Sequence, residues 1–238
     1  MTRDVEPGES RGTRVRVGIV VFPGTNCEFD VAEAIRAADG EPVFCWHADA
    51  SLGEVDAVVV PGGFAHGDYL RPGALARFSP IMGAIATFVH DGGPVVGICN
   101  GFQVLTEAGL LPGALIKNAG LRFRCEMAEV VVESTRSPLT RGLTIGTVLR
   151  VPINHFEGNY LIDDAGLESL RANDQVVFRY ANNPNGSRDS IAGISSNGGN
   201  VVGLMPHPER ALSELVGSSD GLALWRNLVA GCRRQATV

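Results

Sequence analysis

Gly97, Ile98, Cys99, Asn100 and Gly101 set a cysteine between two glycines, directly after the apolar run 95–98 and directly before a helical stretch over 101–107. A nucleophile on such a strand-to-helix turn is strained and exposed, and the glycines let neighbouring backbone come close. The helix also aims its N-terminal dipole at Cys99, which favours thiolate over thiol. Cys99 is therefore the candidate nucleophile, whereas Cys27, Cys45, Cys125 and Cys232 read as buried structural cysteines. A thiolate needs a proton shuttle, and Met205, Pro206, His207, Pro208 and Glu209 supply one at the end of the apolar run 201–205. Residues i and i+2 of an extended segment point the same way, and Pro208 pushes His207 towards an extended conformation. Glu209 can accept from one ring nitrogen and leave the other to exchange protons at Cys99.

An acyl-transfer intermediate also needs oxyanion donors. The amide of Asn100, right after the nucleophile, is one. Gly63, in the Pro61-Gly62-Gly63 turn after the apolar run 57–60, is the candidate for the other. Gln103 lies four residues after Cys99 on the same helix face and can reach a bound substrate. His47 and His90 read as surface groups at element ends, and His66 as a loop residue with no assignable partner. No i, i+4 histidine pair and no convergent carboxylate cluster occurs, so no metal is expected.

The elements that must position these residues alternate. Strands are predicted over 15–22, 42–47, 57–60 and 95–98, and helices over 28–39, 81–90 and 101–107. Asn26 or Thr25 is the expected cap of the first helix, with Gly40 just past its end. Short strands that are apolar on both faces indicate a parallel sheet covered on both sides. After Gly113 the strands predicted over 129–133, 148–153, 176–180 and 191–194 have no good helices between them, which points to an antiparallel second half. A hairpin turn at Asn197 and Gly198 and a last helix over 220–230 complete the pattern.

The chain has 238 residues, 45% of them hydrophobic and 19% charged, enough for one α/β domain over 14–238 behind a disordered tail at 1–13. Its formal charge is −6 and Lys117 is its only lysine, so a nucleic-acid partner is not expected. Five scattered cysteines without a CxxC spacing disfavour zinc and a disulfide framework, and no run approaches the ~18 apolar residues of a membrane span. A reducing cytoplasm is the expected location.

The Pro-Gly-Gly turn, the cysteine elbow with Gln103 and the late His-Pro-Glu, in this order, resemble class I triad glutamine amidotransferases from about residue 15 onwards. The segments 22–30 (FPGTNCEFD), 67–74 (GDYLRPGA), 122–125 (RFRC), 183–187 (NPNGS) and 205–211 (MPHPERA) are further similar to the glutaminase subunits of phosphoribosylformylglycinamidine synthase. The resemblance implies a flavodoxin-like open sheet. It also implies that Cys99 is nucleophile, His207 acid/base and Glu209 the orienting group, and that His155 and Phe156 contact glutamine. Two segments differ from that family's pattern: Asn154-His155-Phe156-Glu157-Gly158 stands where Ala-His-Gly-Glu-Gly is expected, and Asn118-Ala119-Gly120 where Asn-x-Ser is expected. The implied activity is hydrolysis of glutamine and delivery of ammonia to a synthetase subunit that uses ATP and Mg²⁺, with a small third subunit. The chain itself has no GxxxxGK[ST] loop and no cofactor is expected on it. The loop 67–74 is expected near the site as a contact or gate. Two other readings are a DJ-1/PfpI-type cysteine hydrolase, which needs an acid before the cysteine that 95–98 does not offer, and a non-catalytic flavodoxin-like binding subunit.

Overall fold

The computed structural model describes residues 14–235; the tail expected over 1–13 lies outside them. The first half runs β1 (Arg16–Val21), α1 (Glu28–Ala37), β2 (Glu41–Trp46), β3 (Ala57–Val60), α2 (Ile81–His90), β4 (Val95–Ile98) and α3 (Asn100–Glu107). The second half runs β5 (Ala114–Ile116), β6 (Arg124–Val132), β7 (Val148–His155), β8 (Asn159–Leu161), α4 (Asp164–Ala172), β9 (Val176–Tyr180), β10 (Ile191–Ser195), β11 (Val201–Leu204) and α5 (Gly221–Gln235). Nine strands form one sheet in the order β2-β1-β3-β4-β11-β10-β9-β6-β7, and β5 and β8 pair separately. The fold is the α/β, flavodoxin-like sheet expected, parallel through its centre and antiparallel beyond β11.

Burial explains the centre. Every residue of β3, β4 and β11 is buried, and strands covered on both faces select Val and Ile without alternation. In α1, Val31, Ala32, Ala34 and Ile35 face the core. Its cap differs from expectation: Cys27 occupies the N-cap without a side-chain bond, because Thr25 Oγ1 is taken by the Phe22 amide. At its other end Asp39, not Gly40, takes the left-handed conformation (φ 61°).

Three features of the second half depart from the sequence reading. β11 pairs antiparallel with β10, as the hairpin signal implies, but parallel with β4. The helix α4 has no counterpart among the expected elements; only Leu167 and Leu170 are buried on it, too few for a periodic signal, and Asp163 caps it by accepting from the Gly166 amide at 2.7 Å. The three-residue strands β5 and β8 are too short to read from pattern.

Close approach also fixes α3 on the sheet. A Cβ at Gly101 would stand 1.8 Å from the Val60 carbonyl oxygen, and one at Gly97 would stand 2.5 Å from Leu105 Cδ1. Gly101→Ala must therefore push α3 off β3, at a cost of about 1–3 kcal/mol or more. Urea denaturation measures it, and a midpoint equal to that of the unchanged chain would mean that α3 does not pack this closely.

Candidate active site

The register of the parallel strands brings the candidate residues together. Val60 stands opposite Gly97, and Leu204 opposite Ile98, so the turns after β3, β4 and β11 leave the sheet at one carboxyl edge, where open α/β sheets bind ligands. Cys99 sits at that edge with φ 50° and ψ −106°, a left-handed conformation held against its steric cost by the Cys99 amide donating to the Leu204 carbonyl at 2.8 Å. Asn100, the first residue of α3, has no intrahelical acceptor for its amide.

His207 and Glu209 are each 2% exposed, and the ring Nδ1 lies 2.6 Å from Glu209 Oε1. Nε2 has no hydrogen-bond partner among the described residues. Burial opposes the charged ring, but the Glu209 carboxylate and the nearby sulfurs of Cys99 and Cys27 outweigh it and raise the His207 pKa well above its ordinary value. Cys99 and His207 line one cavity of about 370 Å³.

Four of the other expected residues are at that cavity, whereas Asn100 and Glu209 are not among its lining residues. Gly63, Gln103, His155 and Phe156 all line it. Gly63 has φ 146°, and a Cβ there would stand 2.8 Å from the Asn26 amide nitrogen, so the turn needs glycine. Gln103 is already engaged at both ends, accepting from Asn100 Nδ2 at 2.9 Å and donating to the Glu157 carbonyl at 2.6 Å. It therefore ties the elbow to the loop over 154–158 as well as lining the pocket. His155 is 4% exposed with both ring nitrogens unpartnered among the described residues; burial, with His207 adding to it, lowers its pKa to about 4. Phe156 is half-exposed, with Lys117 Nζ 6.0 Å from its ring centroid.

Sequence reasoning missed several residues that shape the site. A Cβ at Gly62 would meet His207 Cε1 at 2.8 Å and Cys27 Sγ at 3.1 Å. Cys27 is buried as expected, yet it lines the cavity and its sulfur accepts from Arg210 Nη2 at 3.2 Å. Cys125, expected buried, is exposed, because it falls on the uncovered face at the start of β6. Asp68 lines the cavity and accepts from Asn100 Nδ2 at 3.0 Å; burial raises its pKa to about 6, opposed by that bond and aided by Glu157. The loop expected near the site is there, contributing Asp68, Leu70, Arg71 and Pro72 to the lining. His66 does have a neighbour: its Nε2 is 3.5 Å from Ser79 Oγ, which is 3.1 Å from Nδ1 of a half-buried His47.

A polar network behind the wall holds the 154–158 loop. Asn118 is 1% exposed and donates from Nδ2 to the His155 carbonyl at 3.0 Å, while its Oδ1 accepts from the Gly158 amide at 3.0 Å. Asn185 Nδ2 donates to the Gly158 carbonyl at 2.8 Å, and Ser187 Oγ accepts from the Tyr160 amide at 3.1 Å. The Asn-x-Ser departure at Gly120 falls in open space, with nothing within 4 Å of an added Cβ.

A cysteine elbow and a buried His–Glu pair at the carboxyl edge of such a sheet define a glutamine amidotransferase domain, and residues 14–221 match the family of CobB/CobQ-like glutamine amidotransferase domains. The phosphoribosylformylglycinamidine synthase subunit PurQ of Rubrobacter xylanophilus is 55% identical over 92% of this chain and 100% of its own. That of Koribacter versatilis is 49% identical over 93% of this chain and 100% of its own. A chain in the structure of PurLQS from Thermotoga maritima superposes with a TM-score of 0.85 at 40% identity, covering 92% of this chain and 99% of that one. The chain belongs to the PurQ family of phosphoribosylformylglycinamidine synthase subunits.

The Glu209 carboxylate is the first of the charges that raise the His207 pKa. Glu209→Gln is expected to lower the His207 titration midpoint, read by nitrogen-resolved NMR of the imidazole. A midpoint that does not move would remove Glu209 from this role. Because the folded value is raised, the stabilisation from this pairing is complete below the ordinary histidine value of ~6.5 and is lost as pH rises through the higher folded value.

Proposed function

We propose that this chain is the glutaminase subunit of phosphoribosylformylglycinamidine synthase, with glutamine as substrate, Cys99 as nucleophile, His207 as acid/base and Glu209 as the group that orients the ring. The observation that carries the reading is the left-handed Cys99 sharing one cavity with His207, whose ring Nδ1 is paired with the buried Glu209. Cys99 attacks the side-chain amide of glutamine, and the amides of Asn100 and Gly63 stabilise the tetrahedral oxyanion. His207 protonates the departing ammonia, leaving a γ-glutamyl thioester. It then takes a proton from the water that releases glutamate.

Glutamine carries an ammonium and a carboxylate, and the cavity wall has both signs of charge to receive them: Asp68 and Glu157 against Arg71 and Lys117. His155 and Phe156 are its other candidate contacts, and Gln103 the group that holds their loop. A proline at Gly63 is a poor probe of the oxyanion donor, because proline cannot adopt φ 146°.

The ammonia passes to a synthetase partner. ATP and Mg²⁺ are assigned to that partner, since Lys117 is followed by Asn118 and no phosphate-cradling loop precedes it. A small third subunit completes the proposed complex. A cytoplasmic location accords with five free cysteines. Among the described residues no helix is long and apolar enough to cross a membrane.

In the reconstituted complex, Cys99→Ala should lower glutamine-supported synthesis at least about a thousandfold while synthesis from ammonium salts survives. Persistence of both would end the assignment. Labelling of Cys99 by 6-diazo-5-oxo-norleucine separates a glutaminase from a binding subunit, and glutamate release separates it from a DJ-1/PfpI-type hydrolase.

A further inference from the structure

One buried thiol at the site has no part in this chemistry. Cys27 is 2% exposed and caps α1, and it lines the cavity beside Cys99 and His207. Its sulfur, one nitrogen of His207 and one carboxylate oxygen of Glu209 all lie within 4.8 Å of one another, and all three residues are buried. His207 Nε2 and Glu209 Oε2 have no hydrogen-bond partner among the described residues, so the cluster holds donor atoms that protein contacts do not use. Arg210 Nη2 donates to the Cys27 sulfur at 3.2 Å, which holds that sulfur in place beside the pair.

We propose that Cys27, His207 and Glu209 form an inhibitory site for a thiophilic divalent cation such as zinc, which arrests the glutaminase by occupying its proton-transfer pair. The inhibition rests on the roles proposed above for His207 and Glu209; the binding does not. One thiolate, one imidazole and one carboxylate are a donor set that zinc takes at about 2.3 Å for sulfur and about 2.0–2.2 Å for nitrogen and oxygen. Thiolate and carboxylate together balance the two positive charges, so the buried cluster carries no net charge. An ion held by all three occupies a nitrogen of the ring and an oxygen of the carboxylate, so the pair can no longer pass the proton that the proposed chemistry needs. Magnesium and calcium, which want six or more oxygens, find one carboxylate. The ion enters by the cavity, and its fourth position is left to water or to Cys99.

The test is calorimetric titration of zinc into the metal-free full chain and into Cys27→Ser and Cys99→Ala. One tight equivalent is expected for the unchanged chain and for Cys99→Ala, with affinity at least about 100-fold weaker for Cys27→Ser. X-ray absorption of zinc-loaded Cys99→Ala leaves Cys27 intact and counts the ligands. A sulfur neighbour at about 2.3 Å supports the site, and a shell of nitrogen and oxygen alone overturns it. Equal affinity in Cys27→Ser and the unchanged chain, or no stoichiometric binding at all, overturns it too. Heat and ligand counts do not depend on turnover, so this outcome is separate from that of the glutaminase reading, which glutamine-supported synthesis decides.

Discussion

The parallel register between β4 and β11 is the constraint on which the site depends. The two strands are more than a hundred residues apart in sequence, yet Leu204 stands opposite Ile98 and Gly203 opposite Gly97. The turns that leave these strands, carrying Cys99 in one case and His207 in the other, therefore emerge at one level of one edge. A slip of one residue would turn every side chain of β11 to the opposite face. Packing on both faces prevents it: Val95, Val96, Val201 and Val202 are fully buried, and Gly203 has room for no side chain, since an added Cβ would stand 2.1 Å from Phe102 Cδ2. The same glycine that lets α3 lie close to the sheet thus helps fix the strand that delivers the imidazole.

The antiparallel half supplies the wall opposite that edge. β7 is last in the sheet order, but its end returns to the site: the His207 amide donates to the Pro152 carbonyl at 2.8 Å, and the Cys99 thiol points at the Asn154 carbonyl at 3.8 Å. The loop beyond β7 is then held by Asn118, Asn185, Ser187 and Gln103, each through main-chain atoms. Single bonds of this kind contribute about 0.5–1.5 kcal/mol each. Their larger effect is to leave the loop one arrangement, because any other would strand buried polar groups.

The central strands and the elbow were legible because their signals are local: uninterrupted Val and Ile for β3 and β4, Gly-x-Cys-x-Gly for the turn. His207 and Glu209 were legible for a similar reason, two residues in an extended proline-bounded segment. The parts that escaped are those set by partners remote in sequence. The parallel pairing of β11 with β4 lies outside the reach of any hairpin signal. The α4 helix buries two leucines, and its glycine at 166 lowers helix propensity while making room, since a Cβ there would stand 2.5 Å from Ile162 Cγ1. Cys27 read as core because burial and function look alike in sequence; only Gly62 and Arg210 reveal which wall it occupies. The segments 183–187 and 205–211 carried the family resemblance without showing why: one braces the 154–158 loop, the other ties α1 to the imidazole through Arg210 and Asp30, 3.0 Å apart.

Stability alone does not account for this edge. Burying an ionised His–Glu pair costs desolvation that its own attraction repays only with good geometry, and an apolar pair of the same volume is often at least as stable. Here one oxygen and one ring nitrogen of the pair are left without partners among the described residues, and the neighbouring cysteine is held at a left-handed φ that a β-carbon disfavours. Each feature is unfavourable by itself, and Cys99 and His207 line one cavity. The surrounding valine strands, whose side chains are wholly buried, are what can hold such an arrangement. An open valence on the imidazole and a strained, reachable sulfur are also the two things that proton transfer to a departing amine requires. The same unpartnered atoms lie next to a second sulfur, that of Cys27, and this is the basis of the proposed cation site.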